Sequence, residues 1–202
     1  SNLLLTMCGC NRLTLTQCRR SDGDLFAWYS SLISGGQRFE LDLSAVLAEA
    51  RARFCLQGPA QYNLCISHRK RIQLNREANE RERRAHPAVL VRAGTNARAQ
   101  DMWVWPGLRL LGCAGHRRIR NGVLYEVEAV GDDSITVGEG RLTFQQAVTS
   151  LRLAYAQTYA SCQGTEFSGS VALWDTTNRH FSRRHLFVAL SRARKAEDIC
   201  VK

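Results

Sequence analysis

Apolar residues fall into two periods along this chain. Leu25, Trp28, Tyr29, Leu32 and Ile33 recur at helical spacing, with Ser21 or Asp22 ahead as a cap and Gly35 and Gly36 behind as a stop. Residues 43–56 predict a second helix, with Ser44 near its start. Residues 57–61 spell a turn, and residues 62–66 read as a buried strand. A third helix is expected over 69–86, stopped by Pro87. Its face is dense in charge, and Glu77 with Arg81 and Glu80 with Arg84 stand one turn apart in the favourable order. From Met102 the period shortens. Residues 102–113, 123–131 and 134–138 alternate like strands, separated by a basic turn at 115–122 and by Asp132 and Asp133. Such short strands predict a small β-barrel or curled meander. Residues 144–156 then read as helical.

The last quarter of the chain organises the rest. A polar turn on Gln163 and Gly164 leads into an apolar strand over 171–174. A basic loop follows, then an amphipathic helix carrying Ser191, Arg192 and Arg194 near its end, then a strand over 198–201. Strand, helix and strand in this order form the unit of a parallel α/β sheet. The expected class is therefore α/β, a parallel sheet with helices on both faces, interrupted by a small β unit. Polar groups at the ends of such elements are where phosphates bind. His68 and Arg69 stand at such an end, after the strand at 62–66, either to contact a nucleic-acid backbone or to cap the next helix.

Charge narrows the choice of partner. The net charge is +10, and Lys70, Lys195 and Lys202 are the only lysines. The remaining cations are arginines, whose planar fork grips phosphate through two parallel hydrogen bonds. An acidic polymer is the expected partner, a solvated basic surface being the plainer reading. No run of about 18 apolar residues occurs, so no membrane span is expected. Residues 1–10 lack the basic start and cleavage pattern of a signal peptide. The eight cysteines form no Cys-x-x-Cys, and Cys65 and Cys200 lie inside apolar runs. They read as small buried hydrophobes in a reducing compartment, cytoplasm or nucleus. Cys8, Cys10 and Cys18 with a distant histidine have poor spacing for zinc, and no metal site is expected.

Two motifs stand in order near the C-terminus. The first is Tyr155, Ala156, Thr158, Gln163, Gly164, Glu166 and Phe167; the second runs Val-Ala-Leu-Ser-Arg-Ala-Arg from Val188 to Arg194. Together they resemble the last two motifs of superfamily 1 helicases, most closely the RecD-like branch. The resemblance implies a second RecA-like domain over 1–101 and 149–202, with an SH3-like barrel inserted over 102–148. Gly107, Arg109, Asn121, Gly122 and Val127 match the pattern of that insert. It further implies that Arg192 reaches the γ-phosphate of ATP with Arg20 as companion, Arg19 being second choice. Arg194 is expected to pair with an acidic group in the sheet. Gln163, Gly164 and Glu166 are expected at the nucleotide, Glu166 at its sugar. Thr158, His68 and Arg69 are expected on the nucleic-acid side, and Arg117, Arg118 and Arg120 on backbone phosphates. Arg19 and Arg20 are otherwise ordinary surface arginines, and Arg117 to Arg120 otherwise an exposed hairpin tip. The family places His-Lys where this chain has Ala160 and Ser161, which removes one basic contact.

No Gly-x-x-x-x-Gly-Lys-(Ser/Thr) loop occurs, nor an Asp-Glu pair after a buried strand. In the family those parts belong to the first RecA-like domain, which holds ATP and Mg2+. The expected function is therefore the C-terminal part of an ATP-dependent helicase, viral or replicative, acting on single-stranded DNA or RNA beside an N-terminal RecA-like domain. No ATPase activity is expected of these residues alone. A non-catalytic nucleic-acid-binding module derived from a helicase is the alternative, and a protein-interaction domain the blandest reading.

Overall fold

Asp22 starts the first helix: its carboxylate accepts the Leu25 N–H at 2.7 Å. In the computed structural model, which describes residues 19–33, 35–94, 99–113, 119–138 and 140–202, that helix is α1 (Gly23–Ser30). Leu25, Trp28, Tyr29 and Leu32 are buried, while Ile33, beyond the helix end, turns outward at 50% exposure. α2 (Leu43–Arg53) is capped by Asp42, whose side chain accepts the Ser44 N–H. It stops short of residue 56 because Phe54 and Leu56 bond the backbone of the C-terminal strand instead. β1 (Tyr62–Cys65) runs into α3 (His68–Glu82), followed by a 3-10 turn at Arg83–Ala85. The helical pairs expected on α3 are not those formed. Glu80 meets Arg83 where the helix tightens, and Glu77 accepts from Gln73 at 2.8 Å.

β2 (Val89–Val91) and β3 (Met102–Val104) pair antiparallel. β4 (Arg109–Gly112), β5 (Leu124–Val130), β6 (Ser134–Val137) and β7 (Gly140–Thr143) follow, then α4 (Phe144–Ser150) and β8 (Leu151–Leu153). These strands form an antiparallel sheet of order β7-β6-β5-β4-β8, with α4 packed against β6, β7 and β8. The boundary expected between residues 148 and 149 falls inside α4, and β8 beyond it pairs with β4. The helix expected over 144–156 is corrected here: only its first part is helical. Leu151 adopts extended dihedrals, and Leu151 and Leu153 bury themselves by pairing with β4, a period-two pattern that the helical spacing had masked.

β9 (Ala156–Thr158), β10 (Val171–Leu173), α5 (Arg183–Leu190) and β11 (Ile199–Val201) complete the chain. β11, β10, β1 and β9 lie in that order as a parallel sheet. Strand alternation sorts its two faces. Leu64, Val171 and Leu173 pack with residues of α1, α2 and α5, whereas Cys65 and Ala156 pack with Leu74 of α3. Helices thus cover both faces, the arrangement that buried parallel strands require. A second core, from Val91 to Leu153, fills the antiparallel unit.

Candidate functional site

The loop between β9 and β10 leaves edge strand β9 at the C-terminal end of the parallel sheet and returns to the N-terminal end at β10, on the far side of β1. At its start the hydroxyl of Ser161 meets that of Thr158 at 3.1 Å and accepts the Thr158 N–H, tying the Thr158–Ser161 turn to itself. At its tip Gln163 and Gly164 are exposed, and Gly164 takes φ +90°, a conformation that only glycine adopts without strain. Beneath them Cys162 is fully buried; burial pushes its thiol up to about 11, against the pull of the nearby Arg192 charge, so it is no nucleophile.

Past the tip, three distant segments are knitted together. The Phe167 N–H donates to the Arg192 carbonyl at 2.9 Å, and the Asp22 N–H to the Arg194 carbonyl at 2.8 Å. The Ser21 hydroxyl reaches the Ala193 carbonyl at 2.9 Å, and the second oxygen of Asp22 accepts the Ala196 N–H at 2.9 Å. This frame gathers Arg20, Glu166, Arg192 and Arg194. Arg20 donates to the Ser191 carbonyl at 3.3 Å and stands 4.0 Å from Glu166. Arg194 bonds Glu166 at 2.8 Å, so its acidic partner lies in the loop rather than in the sheet as expected. Both Glu166 pairs are solvated and worth about 0–1 kcal/mol each, which orients the side chains more than it stabilises the fold. Arg192 is half-buried, and its Nε is buried with no acceptor among the described residues.

The other end of the sheet carries Thr158, level with Cys65 of β1. Ser67 caps α3 by accepting the Lys70 N–H, so His68 does not cap it and stands exposed with Arg69 in the first helical turn. Asp175 sits at the same edge with φ 60°, held by the Ile66 N–H at 3.0 Å. Arg120 is exposed at the foot of the β4–β5 connection, its N–H donating to the Tyr125 hydroxyl. Arg117 and Arg118, and the cysteines Cys8, Cys10 and Cys18, lie outside the described residues. The structure thus brings Arg20, Glu166 and the Arg192 backbone together at one end of the parallel strands and Thr158, His68 and Arg69 at the other, with Gln163 and Gly164 exposed on the loop between.

Two residues escape a sequence reading. Arg71 is 5% exposed and Arg152 half-buried, and the Nε of each is buried with no acceptor among the described residues. Arg71 begins a polar stripe with Asn75 and Asn79 at four-residue spacing, a signal buried within a helix rich in charge on every side.

Residues 59–201 match the family model of the viral superfamily 1 RNA helicase core domain. Comparison with curated proteins gives no match. Among solved structures, Bacteroides Pif1 bound to single-stranded DNA superposes with TM-score 0.64 at 17% identity, over 94% of this chain and 51% of that one. Pif1 helicases at forked double-stranded DNA give 0.60 at 17% identity, over 91% and 48%. Pif1 from Candida albicans gives 0.58 at 15% identity, over 95% and 56%. The chain spans about half the length of these structures. At such identities the likeness speaks for the fold, a RecA-like helicase domain, and the family match covers most of the residues that build both edges of the sheet. The chain belongs to the viral superfamily 1 RNA helicase core domain family.

Proposed function

We propose that this chain is the second RecA-like domain of an ATP-dependent nucleic-acid helicase of the RecD-like branch, residues 1–101 and 149–202 forming that domain and 102–148 an SH3-like insert. One observation carries the reading: Arg20 and Glu166, far apart in sequence, come within 4.0 Å of each other and are tied to the turn that carries Arg192, Arg20 through the Ser191 carbonyl and Glu166 through the neighbouring Phe167 N–H on the Arg192 carbonyl, while the Arg192 Nε has no hydrogen-bond partner among the described residues. When two RecA-like domains close on ATP, Arg192 and Arg20 offer their guanidinium groups to the γ-phosphate and offset the charge that builds on its oxygens. Glu166 takes the nucleotide sugar. Thr158, His68, Arg69 and the arginines of the insert, Arg117, Arg118 and Arg120, hold the strand. The β9–β10 loop, anchored at both ends of the parallel strands, couples strand to nucleotide. That Bacteroides Pif1 was crystallised with ADP-AlF4, and with ADP-AlF3 and single-stranded DNA, supports both ligands.

Magnesium does not fit here. Among the described residues no group of His, Cys, Asp or Glu gathers to hold a metal, and the surroundings of Arg192 are cationic. The P-loop and the metal belong to an N-terminal RecA-like domain, and the pair works in a reducing compartment. The specific observation for a second reading, a non-catalytic strand-binding module, is Ala160 and Ser161 in place of a basic contact, with Ser161 spent on its own turn.

The test joins this chain to a P-loop domain and measures ATP turnover on a single strand. Turnover is expected in the joined protein only, falling on the order of a thousandfold in Arg192→Ala, the worth of an arginine finger. Turnover by this chain alone that vanishes in Arg192→Ala would refute the division of labour. Strand binding without turnover in the joined protein would favour the second reading.

A further inference from the structure

We propose that Arg71 and Arg152 together hold one backbone phosphate of the single strand, carrying the nucleic-acid track from the edge of the parallel sheet onto the junction with the antiparallel unit. This rests on the strand-binding reading above and adds residues that it does not contain.

Position comes first. Arg71, Asn75 and Asn79 lie one per turn on a single face of α3. Asn79 donates to the Trp103 carbonyl at 2.9 Å and accepts the Trp103 N–H at 2.8 Å. Asn75 brackets Ala156 of β9 in the same way, at 3.2 and 2.9 Å. α3 runs back along β9, and one helical turn of about 5.4 Å nearly matches two strand residues of about 6.6 Å. With Asn75 level with Ala156, Arg71 comes level with Thr158. Arg152 stands on β8 opposite Leu111, and its charge bears on Arg71.

The chemistry follows. The two asparagines satisfy backbone groups, but Arg71 has nothing to satisfy: neither it nor Arg152 donates a side-chain hydrogen bond or forms an ion pair among the described residues. Arg83 and Arg183 also leave Nε unmatched, yet their other nitrogens engage Glu80 and the Leu41 carbonyl. Burial and the neighbouring cation both hold Arg71 below its ordinary range. The half-buried Cys113 is beside both arginines and supplies no counter-charge, since burial pushes its thiol up. Two like charges, one buried and one half-buried, with no carboxylate beside them among the described residues, are unfavourable until an anion joins them. A phosphodiester presents two oxygens to such forks and relieves both cations at once.

Binding of a labelled single-stranded oligonucleotide, followed by anisotropy over a salt series, tests this. Arg152→Gln and Arg71→Gln are each expected to weaken binding roughly tenfold at low salt and to flatten the log–log salt slope by about 0.7, the share of one phosphate on a single strand. The double variant flattens it no further, because both arginines serve the same phosphate. Arg84→Gln, a charge change on the exposed end of the same segment, keeps the wild-type slope. Wild-type slopes in both single variants overturn the proposal and leave the strand-binding reading standing. A wild-type chain that binds no strand overturns both. Should Arg71→Gln fail to fold by circular dichroism, Arg152→Gln decides. Loss of ADP binding instead of strand binding in Arg152→Gln also overturns it.

Discussion

Single residues do more than one task at this site, and Asp22 shows it best. One carboxylate oxygen caps α1 through the Leu25 N–H at 2.7 Å, and the other accepts the Ala196 N–H at 2.9 Å. Its backbone N–H reaches the Arg194 carbonyl. Asp22→Ala therefore loses a helix cap and unties the segment carrying Arg20 from the one carrying Arg192. We expect a loss of about 1–2 kcal/mol in urea denaturation, the size of a removed cap. The role of Asp22 as a cap is legible in the sequence, because a short acid before a helical repeat has one local use. Its second bond, to a residue far along the chain, is not, since local pattern carries no distance information. Arg192 is similar: the motif picks it out, but only burial reveals a nitrogen without an acceptor.

Elements are held by side chains that replace missing backbone partners. β9 pairs with β1 on one side only, and Asn75 closes its other side at Ala156 with two hydrogen bonds. Asn75 is fully buried, so Asn75→Ala strands a buried N–H and a buried carbonyl. A destabilisation of about 3 kcal/mol is expected by chemical denaturation, each orphaned group costing about 1–3 kcal/mol. α5 offers a pH test. The Ser182 N–H donates to Nδ1 of His185 at 3.1 Å, a bond that needs that nitrogen unprotonated. Burial holds His185 below its ordinary value of 6.5, with Arg184 adding to the effect. The unfolded chain then takes the proton first as pH falls. The contribution is present in full above 6.5 and declines below it. His185→Gln, whose amide can still accept at that position, is expected to flatten the fall in urea midpoint between roughly pH 7 and pH 5. Helices α1, α2 and α3 are legible from their repeats and α1 also from its cap, whereas the caps of α2 and α3 fall on Asp42 and Ser67 instead of on Ser44 and His68. β8 and β9 are not, because three-residue strands hold too little period to stand apart from the helix before them.

Among the described residues two large cores stand out, one between the parallel sheet and helices α1, α2 and α5, the other within the antiparallel unit, with a small cluster of Cys65, Leu74 and Ala156 under α3. α3 joins them, bonding β9 through Asn75 and β3 through Asn79. Tyr155, the first residue of the helicase motif, adds a bond from its hydroxyl to Glu82 at 2.8 Å, while burial and that carboxylate keep it protonated. This scale explains why turnover is expected only in the joined protein. The chain presents guanidinium groups on one side and a cationic edge on the other, and a phosphate held by neither wall of a cleft does not react.

Local chemistry was enough to set the fold class, the helix starts and the two helicase motifs, because caps, apolar period and motif spacing are properties of short stretches. Only the tertiary structure decided that Arg20, Glu166, Arg192 and Arg194 share one side, that β8 joins the antiparallel sheet, and that Arg71 and Arg152 are buried and half-buried with no ion pair among the described residues. Each of these depends on long-range contacts and on burial, which arise when the chain closes on itself.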